Sequence, residues 1–196
     1  MKLYEKSFVD FIIPTYQRYD QIKSMLYSLV SQYDPDWSAQ VIIDDIANDI
    51  LVDIINNFKD SRISYTFTGT RHNDWGHTPR EIGKQQSRSQ YIIMTGDDNY
   101  YVPTLVQKIK YAASMNNNPA ILYWDMVHSH TDYSLLDCKL CIGSIDMGAF
   151  ATRSDIAKKI QLGKEYAADG VFITKIVEQY TTESFIKIPG ILFVHN

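Results

Sequence analysis

The stretch YIIMTGDDNYYVP, residues 91–103, indicates how this chain is built. Its first four residues are apolar or aromatic, which is the composition of a short buried strand. They lead through Thr95 and Gly96 into two adjacent acids, Asp97 and Asp98. Neighbouring carboxylates repel each other, and burying both without a partner raises a pKa strongly. A strand that ends on such a pair therefore indicates a place where something positive is held.

Strand-type and helix-type segments alternate through the first 125 residues. Short apolar runs predict strands over 8–14, 39–44, 62–67, 91–94 and 120–125. Apolar residues at helical spacing predict helices over 19–32, 48–58, 78–88 and 103–115. This alternation predicts an α/β fold, a Rossmann-like three-layer sandwich with a mainly parallel central sheet covered on both faces.

The pattern becomes less regular after residue 125. Residues 126–153 show alternation and few helix signals, so we predict extended segments or a small antiparallel excursion there. Helices are predicted again over 153–161 and 168–180, and a last strand or pair of strands over 184–196. The C-terminal half therefore adds antiparallel structure to the sheet.

Composition sets limits on the class of function. The chain has 196 residues, 45% of them hydrophobic and 21% charged, which suits one globular domain. The formal net charge is −4, so no basic face dominates and a nucleic-acid partner is not expected. A phosphate-bearing ligand would need local help from a metal ion, an arginine or a helix N-terminus.

Two features bear on the compartment. Cys138 and Cys141 have the spacing of a redox pair or of half a zinc site, but a zinc ribbon needs a second pair that the chain lacks. We interpret them as ordinary thiols of a reducing compartment. Residues 1–10 lack the apolar segment of a signal peptide, and no apolar run approaches the roughly 18 residues that span a bilayer. We expect the protein to lie in the cytoplasm or on the cytosolic face of a membrane, which it could contact peripherally.

Acidic residues close two of the predicted strands. Asp44 and Asp45 follow the second strand, and Asp97 and Asp98 follow the fourth. Ligands of open α/β sheets bind at the carboxyl ends of the strands. A divalent cation would relieve the repulsion within a pair and bridge it to phosphate oxygens. The alternative is that each pair is only a turn or a helix cap.

Five stretches of the chain together resemble a known family. DFIIPTYQRYDQIKSMLYSLVSQ (10–32), VIIDDIAND (41–49), the segment 73–103, SIDMGAFATRSDIAKKI (144–160) and AADGVFITKI (167–176) resemble, in order and spacing, the inverting family-2 glycosyltransferases. The resemblance covers nearly the whole chain. It implies one domain with the GT-A fold, which could be part of a longer protein. Residues from about 1 to 125 would bind the nucleotide sugar, and residues from about 126 to 196 would bind the acceptor.

The resemblance also implies roles on the donor side. Pro14 and Tyr16 would line the nucleotide pocket, and Asp45, with Asp44 beside it, would meet the edge of the base. Arg80 would approach the base or the diphosphate. The donor would be a nucleotide-diphosphate sugar, most commonly linked to UDP.

Further roles concern the metal, the acceptor and the catalytic base. Asp97 and Asp98 would hold the donor and its Mn²⁺ or Mg²⁺, with His195 as a further metal ligand or a surface residue. Asp146 would face a glycan or another hydroxyl acceptor, and Asp169 would be the general base, unless it is only a helix N-terminal acid.

This sequence also departs from the family pattern. Thr95 stands where the family has a leading Asp, Glu81 where an Asn follows the arginine, and Ala168 where an acid often precedes the catalytic Asp. Asp169 is therefore alone, with Glu165 as the nearest other acid.

Other functions have weaker support. A nucleotidylyltransferase needs a glycine-rich loop with an arginine after the first strand, where this chain has PTYQRYD (14–20). A dinucleotide oxidoreductase needs a Gly-x-Gly-x-x-Gly turn, which is absent from the sequence. The serious alternative is a nucleotide- or glycan-binding domain of the same fold without turnover.

Overall fold

The computed structural model describes residues 6–196. These residues form an α/β fold in which helices pack around one mixed sheet. Half of the N-terminal segment that we tested for a signal peptide, residues 1–5, lies outside the described residues. Within residues 6–196 there is no helix of the length and apolar character that crossing a membrane requires.

The N-terminal part of the sheet is parallel. Its strands are β1 (Val9–Thr15), β2 (Trp37–Ile43), β3 (Ile63–Phe67) and β4 (Tyr91–Met94), in the spatial order β3-β2-β1-β4. All four were predicted within a few residues of these bounds. In register, Thr15 lies opposite Ile43, and Ile43 opposite Phe67, so the carboxyl ends of β1, β2 and β3 share one edge of the sheet.

Four helices connect and cover these strands: α1 (Tyr19–Val30), α2 (Asp49–Asn57), α3 (His77–Gln86) and α4 (Leu105–Met115). Helix α2 begins where the Asn48 side chain accepts a hydrogen bond from the backbone N–H of Leu51, at 3.1 Å. Phe11 and Ile12 point to opposite faces of β1, and both are fully buried. Both faces of the sheet are therefore covered.

The remaining strands make the sheet mixed. They are β5 (Tyr100–Tyr101), β6 (Ile121–His128), β7 (Ser134–Leu136), β8 (Phe150–Arg153) and β9 (Phe185–His195). Strand β8 lies between β4 and β6 and is antiparallel to both, β9 runs parallel to β6, and the short β5 and β7 are antiparallel additions. The α/β class and its antiparallel excursion are thus confirmed.

The bounds of three elements differ from the sequence prediction. The strand predicted at 120–125 continues to His128. The helix predicted at 153–161 is a single turn, α5 (Ser154–Ala157), and the helix predicted at 168–180 ends earlier, as α6 (Ala168–Val177). Of the two alternatives for the last segment, the structure has the single strand, β9, which shifts register against β6 between Tyr123 and Met126.

Candidate active site

A cavity of about 440 Å³ opens at the carboxyl ends of β1, β2 and β4. Most residues that line this first cavity lie at or after the ends of the parallel strands, in the loop before α3 or in α3 itself, namely Pro14, Thr15, Tyr16, Arg18, Asp44, Arg71, Asn73, Trp75, Gly76, Arg80, Gly96, Asp97, Asp98 and Asn99. Asp146, Met147 and His195 line it from the C-terminal half of the chain. The edge of the sheet at which ligands bind in open α/β folds is therefore the edge where this cavity forms.

Asp97 and Asp98, the acid pair, lie at one end of the first cavity. Asp97 is only 4% exposed and accepts a hydrogen bond from the hydroxyl of Thr15 at 2.6 Å. The guanidinium of Arg18 lies 2.7 Å from Oδ2 of Asp98 and 3.4 Å from Oδ1 of Asp97. In this structure the positive charge beside the pair comes from an arginine in the turn after β1, and the divalent cation stays a prediction.

Burial dominates the titration of Asp97. The pKa of Asp97 is raised from 3.8 to about 6, chiefly by burial and also by the neighbouring charge of Asp98. The hydrogen bond from Thr15 and the charge of Arg18 act in the opposite direction without cancelling this rise. Additional positive charge near Asp97 would therefore stabilise the ionised form of its carboxyl group.

Asp44 holds one wall of the first cavity in place. Its carboxylate pairs with Arg71 and accepts hydrogen bonds from the backbone N–H groups of His72 and Asn73, at 3.1 and 3.2 Å. The guanidinium of Arg71 lies 3.8 Å above the ring of Tyr16, so arginine and tyrosine form a stacked pair beside the cavity. Burial acts to raise the pKa of Asp44, but hydrogen bonds from His72, Asn73 and Arg71 outweigh it and lower the pKa below 3.8.

A tight turn joins the first cavity to α3. Gly76 has φ +81°, and a Cβ there would lie 2.8 Å from Cγ of Pro14. The side chain of Arg80 donates to the carbonyl of Trp75 at 2.8 Å and to that of Thr95 at 3.2 Å. Burial lowers the pKa of Arg80, an effect that the carboxylates of Asp146 and Asp97 oppose. A guanidinium keeps its proton in proteins, so Arg80 brings a fixed positive charge to the cavity floor.

A second cavity, of about 480 Å³, adjoins the first. The two share five lining residues, which are Trp75, Arg80, Asp146, Met147 and His195. The rest of the second lining is His77, Met126, His128, His130, Leu136, Ile142, Gly143, Ile145, Tyr166, Ala167 and Asp169. The two cavities therefore adjoin, and together they make up a cleft in which the acid pair lines the first cavity and Asp169 lines the second.

Asp169 enters the second cavity from the first turn of α6. Its carboxylate accepts a hydrogen bond from the N–H of Gly170 at 2.7 Å. Burial raises its pKa, and the charge of Asp146 adds to that rise, while the Gly170 N–H and Arg80 oppose it. A half-buried carboxylate with a raised pKa is a better proton acceptor than an exposed one.

Histidines border the second cavity opposite Asp169. The rings of His128 and His195 stack with centroids 4.0 Å apart, and His130 lies 4.9 Å from His128. Nε2 of His195 is 3.6 Å from Oδ2 of Asp146. Burial, together with the nearby His195 and His130, lowers the pKa of His128, so this ring is neutral at physiological pH.

The donor set at the acid pair suits one kind of metal ion. Among residues 6–196, no group of three or more His, Cys, Asp or Glu side chains is arranged to hold a metal alone. Mg²⁺, however, is commonly held by one or two carboxylates together with phosphate oxygens and water. Asp97 and Asp98 supply two adjacent carboxylates after the end of β4, and both line the first cavity. The pair therefore fits a divalent cation whose other ligands come from a diphosphate.

Most predicted site residues come together at this cleft. Pro14, Tyr16, Asp44, Arg80, Asp97, Asp98, Asp146, Asp169 and His195 all line one or both cavities. Asp45 does not, because its carboxylate accepts the N–H of Ile46 in the turn after β2, at 2.7 Å. The roles of these residues stay predictions.

Sequence reasoning did not identify several of the lining residues. Arg18 lies in the turn after the first strand, beside the acid pair, and Arg71 lies in the loop after the third strand. Their positions after the carboxyl ends of strands could have identified them from the sequence. Of the aromatic residues that follow strands or turns, Tyr101 and Trp124 are buried core residues, whereas Trp75 is exposed in the cleft. Both cysteines are free thiols, and Cys138 is buried.

A comparison with protein-family models decides the family. The model described as glycosyl transferase family 2 matches residues 10–134, which is more than half of the chain. The chain belongs to glycosyl transferase family 2. The resemblance seen in the sequence is thus confirmed, and the matched span of this family 2 chain contains β1 to β4 and both members of the acid pair.

Solved structures agree with the family 2 fold. TarS from S. aureus in complex with UDP has a TM-score of 0.77 at 13% identity over 97% of this chain and 60% of TarS. TarS in complex with UDP-GlcNAc gives 0.77 at 13% identity over 97% of this chain and 58% of TarS. The mannosyltransferase PcManGT from Pyrobaculum calidifontis, in complex with GDP-Man and Mn²⁺, gives 0.73 at 14% identity, over 98% of this chain and 57% of that one.

The structural neighbours share the fold of this chain. At 13–14% identity the likeness shows the fold alone, and it confirms the prediction of a GT-A fold. The chain spans about 60% of the length of these structures. A search of curated proteins by sequence found no significant match.

Proposed function

We propose that this chain is an inverting, metal-dependent glycosyltransferase. It would move a sugar from a nucleotide-diphosphate donor, which we assign as a UDP-sugar, to a hydroxyl of a glycan or other acceptor. The single observation that carries the proposal is the cleft of two adjoining cavities, with Asp97 and Asp98 lining one cavity and Asp169 the other. Inversion needs that arrangement, because the hydroxyl attacks the sugar carbon from the side opposite to the one from which the diphosphate departs.

The first cavity suits a nucleotide diphosphate. The stacked Tyr16 and Arg71 offer a flat surface for a base, and Asp44 fixes that arginine. Arg80, which is half buried, supplies a positive charge to the lining of this cavity. The structures of TarS with UDP and of PcManGT with GDP-Man, which share the fold, support a donor of this class.

We assign a divalent ion, Mn²⁺ or Mg²⁺, to the acid pair. When bound, such an ion stabilises the negative charge that grows on the departing diphosphate. Asp97 and Asp98 would hold it, and Arg18, about half exposed, would have to move away from their carboxylates or share them. His195 lines both cavities and is the remaining residue that we assign to this ion or to the phosphates.

Asp169 is the residue that we assign as general base. It takes the proton of the acceptor hydroxyl while the hydroxyl oxygen forms a bond to the anomeric carbon. The bond from that carbon to the diphosphate oxygen breaks, and its electron pair leaves with the diphosphate. Burial and the neighbouring Asp146 raise the pKa of Asp169, which favours the acceptance of this proton.

One observation favours a second candidate, a nucleotide- or glycan-binding domain without turnover. Arg18 already pairs with both members of the acid pair, as a substitute cation would. Thr95 also stands where the family has its leading Asp. Both functions predict nucleotide binding, so turnover has to separate them.

Hydrolysis and transfer assays test the proposal. Release of UDP from UDP-sugars, measured with Mn²⁺ and with a chelator, should be dependent on the metal. The Asp169→Asn variant should lose this release while it still binds UDP. Binding of UDP without release from any UDP- or GDP-sugar would support the second candidate.

The context of the domain is also proposed rather than observed. We propose that residues 1–125 bind the donor and 126–196 the acceptor, within a longer protein, since the chain spans about 60% of its structural neighbours. The free thiols Cys138 and Cys141 support a reducing compartment, hence the cytoplasm or the cytosolic face of a membrane.

A further inference from the structure

Two exposed aromatic side chains stand in the second cavity. The residue Trp75 is 72% exposed and Tyr166 is 89% exposed, and both line the cavity that Asp169 enters. A single exposed aromatic residue is common on protein surfaces. Two of them around one cavity, beside a candidate base, form a surface on which a flat ligand can stack.

The backbone of Trp75 is held in an unusual conformation. Its φ is +54°, which is rare for a bulky residue. The carbonyl of Trp75 accepts a hydrogen bond from Arg80 at 2.8 Å, and the following Gly76 has no room for a side chain against Pro14. Backbone strain of this kind persists where the surroundings enforce it, and it is concentrated at ligand sites.

The indole of Trp75 is also supported from the side. The edge of the His77 ring packs against it, with ring centroids 6.2 Å apart and planes at 62°. His77 is buried, whereas the indole is open to the cleft. The fold therefore presents one aromatic face to the second cavity and keeps it there.

The polar groups around this face suit a neutral ligand with several hydroxyls. Asp146 and Asp169 accept hydrogen bonds, and Arg80 donates them. Together these groups offer both acceptors and a donor to the hydroxyls of such a ligand. Aromatic faces combined with carboxylates match a sugar ring, which has an apolar C–H face and a polar rim.

We propose that Trp75 and Tyr166 stack against the ring of a carbohydrate acceptor and hold its hydroxyl beside Asp169. This inference rests on the proposed glycosyltransferase function and names its acceptor class. Both residues would be binding residues of the acceptor, and neither takes part in the proton transfer.

Tryptophan fluorescence tests the contact directly. The chain has three tryptophans, of which Trp37 and Trp124 are 1% and 0% exposed, so a ligand in the cleft would change chiefly the emission of Trp75. The probes are maltose, cellobiose, lactose and N,N′-diacetylchitobiose, with glycerol 3-phosphate as an anionic comparison, all in the presence of UDP and Mn²⁺. We expect at least one disaccharide to change the emission saturably, and the Trp75→Phe variant to lose that change.

Kinetics with the disaccharide that responds best provide the second readout. We expect Trp75→Ala and Tyr166→Ala to raise the acceptor KM at least tenfold and to leave the donor KM within about twofold. Trp75→Phe and Tyr166→Phe keep an aromatic ring and should recover most of that loss. The matched control is Tyr111→Ala, because Tyr111 is 67% exposed but lines neither cavity.

The outcomes separate this inference from the proposed function. No change of emission with any of the four sugars, or a response to glycerol 3-phosphate alone, overturns the inference. A rise in the donor KM without a rise in the acceptor KM assigns Trp75 to the donor and also overturns it. In each of these cases, metal-dependent release of UDP from a UDP-sugar leaves the glycosyltransferase proposal standing, whereas loss of that release is evidence against the proposal itself.

Discussion

The hydroxyl of Thr15 donates a hydrogen bond to Oδ2 of Asp97 at 2.6 Å, across 82 positions of the sequence. Thr15 is the last residue of β1, and Asp97 lies three residues beyond the end of β4. The bond therefore ties the ends of two neighbouring parallel strands together at the first cavity. It also favours the ionised form of a carboxylate that burial would otherwise neutralise.

Removing this hydroxyl should weaken donor binding. Thr15→Val keeps the shape of the side chain but leaves Asp97 without its hydrogen bond, and a bond to a charged group is worth roughly 1.5–3 kcal/mol. We expect the affinity for UDP with Mn²⁺ to fall about tenfold by titration calorimetry. Thr15→Ser retains the hydroxyl and is the control; equal losses in both variants would show that the hydrogen bond is not the cause.

Gly76 should tolerate a side chain less well than a glycine in open space. Gly76 and Gly69 have almost the same φ, +81° and +80°, but a Cβ at Gly69 meets nothing within 4 Å. A Cβ at Gly76 meets Pro14 at 2.8 Å. The positive φ should lower the free energy of unfolding of both Ala variants by roughly 1–2 kcal/mol. Only Gly76→Ala should lower the affinity for UDP as well. Equal melting temperatures and equal UDP affinities for the two variants would contradict this account.

Asp44 should stabilise the protein in a manner that depends on pH. Because its pKa in the folded state lies below 3.8, its stabilising effect is present above that pH and is lost as the pH falls through the folded pKa. Asp44→Asn should therefore lower the free energy of unfolding at neutral pH by roughly 2 kcal/mol.

The neighbouring residue provides the matched control for this prediction. Asp45→Asn changes an adjacent acid outside the cavity lining and should have a much smaller effect. Chemical denaturation at neutral pH and below pH 3.8 measures both variants. If the deficit of Asp44→Asn does not shrink in acid, the hydrogen bonds from the 71–73 loop are not its source.

Asp169 should govern turnover rather than binding. A general base contributes roughly 10²–10⁴-fold to a rate, so Asp169→Asn should lose about that factor in kcat while UDP affinity is kept. Glu165→Gln removes a neighbouring acid that lines neither cavity and should be close to wild type. A normal kcat for Asp169→Asn would remove this residue as the base and leave it as a helix N-terminal acid.

The N-terminal half was predictable because its signals are local. Apolar runs followed by helical spacing gave β1 to β4 and α1 to α4, and the rule that ligands bind at the carboxyl ends of strands brought Tyr16, Asp44 and the acid pair to one cavity. The bounds differ by a few residues, as expected where helix ends are set by caps and packing.

The C-terminal half depends on pairing between distant segments. That β8 inserts between β4 and β6 follows from long-range contacts that no local pattern encodes. Burial of charged side chains also depends on distant partners. Lys84 is fully buried, and its ammonium group is satisfied by the nearby Glu81 and by the carbonyl of Ile160, 76 residues away. Asp10 is buried because Ser38 and Gln40, from another strand, donate hydrogen bonds to its carboxylate.

Partners also decide which chemistry-bearing residues face the cleft. Arg18 and Arg71 looked like ordinary turn residues until the strands placed them beside Asp98 and Tyr16. Of the two adjacent acids, the sequence resemblance favoured Asp45, but Asp44 is the one that lines the cavity.

Titration of UDP into the protein with Mn²⁺ and with a chelator tests the central claim, a cation held by the acid pair beneath a nucleotide diphosphate. We expect binding that needs the metal and that weakens at least tenfold, about 1.4 kcal/mol, in Asp98→Asn. Asp20→Asn, which changes an exposed acid of α1, should match wild type. Binding of equal strength with and without Mn²⁺, or unaffected in Asp98→Asn, would contradict the account.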